Sequence, residues 1–125
     1  MATAPPARLG LPRARRIKQA REFARTKLQG KRVVSGCLVA NWLSLPIGST
    51  SRLGVITGRK LGGAVVRTRA RRLLREAFRL HQWELRQPVE LVLVARSSIV
   101  GKHFLEVEKD FLAALRQSKL LKEAS

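Results

Sequence analysis

A chain of 125 residues with 26 Lys and Arg against 8 Asp and Glu carries a formal charge of +18 and a pI near 11.9, a surplus whose self-repulsion penalises the compact state until a polyanion relieves it. With 45% hydrophobic residues the chain can bury the core of one domain. No apolar run approaches the roughly 18 residues of a membrane span, and neither Met1-Ala2 nor the closing KEAS carries a lipidation signature, so nucleic acid is favoured over an anionic membrane.

The first sixteen residues, MATAPPARLGLPRARR, are basic, contain Pro5, Pro6 and Pro12, and lack the apolar core of a secretory signal. They read as a mobile basic tail; arginine richness with no acid before Glu22 leaves a targeting segment as the alternative. One domain is expected over 17–121, with a short tail at 122–125. From Ile17 to Gln29, the residues Ile17, Ala20, Ala24 and Leu28, with Phe23, recur on one side at helical spacing, and Gly30 supplies a stop.

The run VVSGCLVANWL, residues 33–43, predicts a strand that Gly36 bulges or splits in two; RLGVIT, residues 52–57, predicts an adjacent strand across the turn-forming SLPIGSTS. Cys37, alone and in an apolar setting, is read as a buried inert thiol in a reducing, cytoplasmic protein. That strand is expected to end in Arg59-Lys60, and a tight Gly62-Gly63 turn then leads into a helix. At about 100° per residue, Val66, Ala70, Leu73, Leu74, Ala77 and His81 share an apolar arc. Arg67, Arg71 and Arg75 form a row expected on the opposite side, flanked by Thr68, Arg72 and Arg79. Pro88 ends that unit. VELVLVA, residues 89–95, predicts a central strand covered on both faces. In a last helix from His103, the residues Phe104, Val107, Phe111 and Leu115 share a face with Leu105 and Leu112. The order helix, two or three strands, helix, strand, helix describes an α/β (α+β) sandwich on one small sheet.

Little here can cut a bond. Glu76 is the only acid in the basic segment, and Glu106, Glu108 and Asp110 are expected on a solvated helix face rather than around a metal. One cysteine and two histidines, His81 and His103, cannot assemble an ordinary zinc site; His81 is read as packed structure and His103 as exposed. The glycines of GVITGRKLGG miss the spacing of a phosphate-binding loop. What stands out is Arg67 to Arg79, with six arginines against one glutamate. Like charges one turn apart repel by about 0.2–0.5 kcal/mol per pair, so the segment weakens its own helix. Guanidinium grips phosphate oxygens through paired hydrogen bonds, which explains the choice of arginine over lysine. A rigid row of such groups, without Asn or Gln to read bases and with only six aromatics, suits folded RNA better than DNA.

The stretch GVITGRKLGGAVVRTRARRLLREAFR resembles the signature of the bacterial ribonuclease P protein subunit: a strand, a basic pair, Gly-x-Ala-Val, then Arg-Asn-Arg and further arginines. REFARTKLQGKRV upstream resembles that family's first helix and VELVLVAR its last strand, so the likeness runs from about Ile17 to Leu115. The resemblance implies a two-layer sandwich with a four-stranded sheet and about three helices, related to the second domain of a small-subunit ribosomal protein, with a left-handed βαβ crossover. It implies no catalytic or metal-binding side chain. A large catalytic RNA would use Mg²⁺ to remove the 5′ leader of precursor tRNA, and one protein per RNA would assist it and broaden its substrate range. By position, Arg59, Lys60, Arg67, Thr68, Arg69, Arg71, Arg72 and Arg75 would contact the catalytic RNA, whereas Phe23, Leu38 and Ala40 would line the leader cleft. Thr68 replaces the motif's asparagine; Ala40 stands where a tyrosine is common, and Lys27 or Leu28 near where a second phenylalanine is expected, which implies weaker leader stacking. A non-enzymatic structured-RNA-binding or ribosome-associated protein on the same fold is the second reading.

Overall fold

Gly36 decides the first strand pair. Its φ of +53° is left-handed, and a Cβ there would fall 2.1 Å from the Asp110 carboxylate. The run 33–43 therefore breaks into two antiparallel strands, β1 (Lys31–Ser35) and β2 (Leu38–Ser44). Asp110 Oδ2 accepts the Cys37 backbone N–H at 3.0 Å, tying this turn to the last helix. The Cys37 thiol is buried, and burial reinforced by Asp110 pushes it up to about 12, so it stays protonated and inert. The computed structural model describes Arg16 and residues 20–122; the tail at 1–15, residues 17–19, the side chains of Ala20, Glu22 and Lys27, and residues 123–125 lie outside the described residues.

Two more strands, β3 (Arg52–Ile56) and β4 (Val89–Ala95), complete a four-stranded sheet in the order β1-β2-β4-β3. The expectation that 33–43 and 52–57 lie side by side is thus corrected, because β4 is inserted between them. β4 is the strand with the longest apolar run, and the centre is where such a run is covered on both faces; six of its seven positions are buried. It runs parallel to β3, a pairing that no hairpin can close, and the crossover is α2 (Ala64–His81).

Alternation along the strands sorts the side chains into two faces. On one, Leu38, Ala40, Trp42, Leu91 and Leu93 form the main core with α2 and α3 (Phe104–Gln117). From α2 come Ala70, Leu74, Ala77 and also Phe78, absent from the expected arc; from α3 come Val107, Phe111, Ala114 and Leu115. Leu105 departs from its expected face and is 74% exposed, since it lies about 100° round the helix from Phe104.

The other face is organised by a charge. Glu90, the single acid of β4, is 1% exposed, and α1 (Ala20–Gln29) lies over it. Thr26 Oγ1 and Arg25 Nη2 both donate to Glu90 Oε1 at 2.8 Å, and Arg52 Nη1 reaches Oε2 at 3.5 Å. A buried carboxylate is tolerated only with such donors, so α1 turns a polar side inward. Thr26 is fully buried while Leu28 is 85% exposed and Ala24 is exposed, the reverse of the apolar face that spacing predicts.

Candidate nucleic-acid interface

β3 ends at Ile56, and the chain leaves it through a single 3-10 turn, Arg59–Leu61, whose Arg59 and Lys60 side chains are exposed while Leu61 is buried beneath them. The basic pair therefore belongs to the turn and not to the strand end. Gly62, at φ +143°, then reverses the backbone against Val66, and α2 starts at Ala64. No side chain caps this helix start and no acid lies in its first turn, so the positive end of the helix dipole adds to the neighbouring cations.

The arginines of α2 form two ranks. Arg67, Arg71 and Arg75, expected opposite the core, lie instead on its flank and are half-buried, because the buried arc extends to Phe78 and carries that row inward. Arg71 Nη1 donates to Thr57 Oγ1 at 2.8 Å and its Nη2 to Thr68 Oγ1 at 3.1 Å. The threonine that replaces the motif's asparagine thus holds a neighbouring guanidinium. Arg67 Nε is buried with no hydrogen-bond partner among the described residues. Burial, followed by the charges of Arg16 and Arg71, depresses Arg75 below the usual arginine range. In the outer rank Arg69 and Arg72 are exposed, and Arg69 Nη2 donates to the Lys102 carbonyl at 2.6 Å.

Among the described residues, no carboxylate pairs with Arg59, Lys60 or any arginine of α2 before Arg79. The acids are engaged elsewhere. Glu76 holds Arg79, Glu108 and Glu84 hold His81, and Glu106 accepts the His103 backbone N–H to cap α3. Glu106, Glu108 and Asp110, expected on a merely solvated face, therefore each have a structural partner. His103 is exposed and His81 is packed near Phe111, as the pattern predicts.

The two residues assigned by resemblance to the leader cleft on β2 are not on a surface. Leu38 and Ala40 are 0% and 1% exposed and face the core under α2 and α3. Strand parity places their neighbours outward instead. Val34, Val39, Val94 and Ile56 stand in register across all four strands, forming an apolar row on the α1 face of the sheet. Val34 is 44% exposed, Val94, Ile56 and Phe23 of α1 are half-buried, and Val39 between them is buried. Sequence alone would have found this row only by deciding which parity of β2 faces the helices.

The ribonuclease P family model matches residues 11–119. The chain belongs to the ribonuclease P protein family. Curated family members include the ribonuclease P protein components of Syntrophomonas wolfei, 33% identical over 88% of this chain and 92% of that one, and of Symbiobacterium thermophilum, 35% identical over 89% and 96%. The ribonuclease P protein of Staphylococcus aureus superposes with a TM-score of 0.79 at 25% identity, over 88% of this chain and all of that one. That of Thermotoga maritima gives 0.72 at 25% identity, over 82% and 96%. The four-stranded mixed sheet with three helices is therefore the ribonuclease P protein fold, and the ridge and the valine row are features of a ribonuclease P protein component, an accessory of tRNA 5′ processing.

Proposed function

We propose that the chain assists a catalytic RNA in removing the 5′ leader of precursor tRNA, as one protein per RNA in the cytoplasm. The observation that carries this reading is the uncompensated ridge. Arg59, Lys60, Arg67, Arg69, Arg71, Arg72 and Arg75 face outward or flank the core without a carboxylate among the described residues, and Thr68 and Thr57 orient Arg71. Such a ridge neutralises closely spaced phosphates and does not activate water. Hydrolysis would fall to the RNA and its Mg²⁺; among the described residues no group of three or more His, Cys, Asp and Glu side chains is placed to hold a metal ion.

Leader binding falls to the α1 face of the sheet, with Phe23 and the row Val34, Val39, Val94 and Ile56 offering apolar contact to unstacked bases. Aliphatic side chains give less than the about 1–3 kcal/mol of an aromatic stack, so binding there leans on charge. No helix among the described residues is long and apolar enough to cross a membrane.

Reconstitution with the cognate catalytic RNA at low Mg²⁺ tests the reading. Cleavage of precursor tRNA should rise when the protein is added, and log K for assembly should fall by roughly 0.7–0.9 per phosphate contact per tenfold salt. Unchanged cleavage, or a flat salt titration, would contradict it.

A further inference from the structure

β3 and β4 are parallel, so their first residues lie together at the end of the sheet remote from the Arg59–Leu61 turn. The two segments that lead into these strands, 49–51 and 82–88, meet Lys122 there around an open groove of about 350 Å³, a volume that suits a small organic group. Trp83 is 38% exposed in this groove, beside the exposed cations Arg86 and Lys122. None of the described lining residues is an acid. Gln82 also lines the groove, and its Nε2 donates to the Arg79 carbonyl at 3.2 Å.

An exposed indole beside two cations, in a groove without an acid among its described lining residues, matches one kind of partner. A base stacks on the indole, and its phosphates meet Arg86 and Lys122. We propose that this groove is a second RNA contact, which takes an unpaired nucleotide of a single-stranded segment. It lies past the C-terminal end of α2, about 10 Å along the helix axis from Arg75, the last arginine of the ridge. The contact does not depend on how the ridge is used.

Trp83 reports on its own site, because the other tryptophan, Trp42, is buried on the core face. The full chain is titrated with a short labelled oligoadenylate, following tryptophan emission and oligonucleotide anisotropy together. Saturable quenching is expected, lost in Trp83→Phe, with half-saturation of that quenching raised about tenfold in Arg86→Glu with Lys122→Glu. Inorganic polyphosphate, which has charge and no bases, should leave the emission unchanged. Anisotropy that saturates without quenching of Trp83, or equal quenching by polyphosphate, overturns the proposal. So does quenching that grows with protein concentration alone, which would assign the groove to a second copy of the chain. Replacing Arg67, Arg69 and Arg72 by alanine should leave the quenching intact while impairing assembly with the catalytic RNA, so the two readings fail separately.

Discussion

The two halves of α2 carry the same cation and treat it in opposite ways. Toward the C-terminal end each charge has an internal partner: Glu76 binds Arg79, and His81 is clamped between Glu84 and Glu108. Toward the N-terminal end, from Arg67 to Arg75, there is no such carboxylate among the described residues; Arg71 leans on two hydroxyls, and Arg75 is destabilised as a cation by burial and then by Arg16 and Arg71. One helix with one apolar arc thus contains a half that is electrostatically finished and a half that is not. The unfinished half is the one that the proposed function assigns to an external anion.

The sharpest way to test this contrast is to remove charge from each half in turn. Arg67, Arg69 and Arg72 replaced together by alanine should weaken binding of the catalytic RNA by about 1.5–3 kcal/mol for each charged hydrogen bond removed, with a shallower salt dependence and no fall in melting temperature. Arg79→Ala should leave RNA affinity unchanged. Equal losses from the two halves, measured by filter binding across a salt series, would erase the distinction.

The arc common to both halves gives the next largest effect. Leu74 is fully buried, and Leu74→Ala should cost about 2–5 kcal/mol of stability in a denaturant melt, while the mutant that remains folded keeps its RNA affinity. His81 gives a pH signature for the finished half. Burial favours the neutral ring, but hydrogen bonds to Glu108 and Glu84 outweigh it and raise the pKa above its ordinary value. A raised folded pKa means that stabilisation is fully present below the unfolded value of about 6.5 and is lost as pH rises through the folded one. Thermal stability of the wild type should therefore decline over that window relative to His81→Gln, which lacks the step. The smallest effect is expected at Glu76→Gln, where loss of a partly exposed pair one turn apart should cost about 0.2–0.5 kcal/mol.

Much of this is legible in the order of the residues. The arginine crowding, the apolar arc of α2 and the strand at 89–95 depend on a single element; the arc and the strand lie where their period puts them, while the row Arg67, Arg71 and Arg75 is carried to the flank of the core. What departs from expectation depends on a neighbour. Leu28 has the spacing of an inward residue of α1, but the helix lands on the buried Glu90 carboxylate and turns Thr26 toward it. Leu38 and Ala40, assigned to a cleft by resemblance, face the core, since a shift of one residue along a strand exchanges core for surface. The row Val34, Val39, Val94 and Ile56 draws one residue from each of four strands, and its alignment exists only once the strand order is set.

By itself, the sequence determined that the chain is cationic beyond what its own acids can balance, that arginine supplies the excess along one helix, and that the motif order is that of a ribonuclease P protein. These are properties of composition and local period, which survive any arrangement of the parts. Tertiary structure alone decided that β4 separates β2 from β3, that a buried glutamate anchors α1, and which parity of each strand meets solvent. The reason is physical: a strand or helix has two sides with similar local energies, and only the surface it packs against makes one of them the inside.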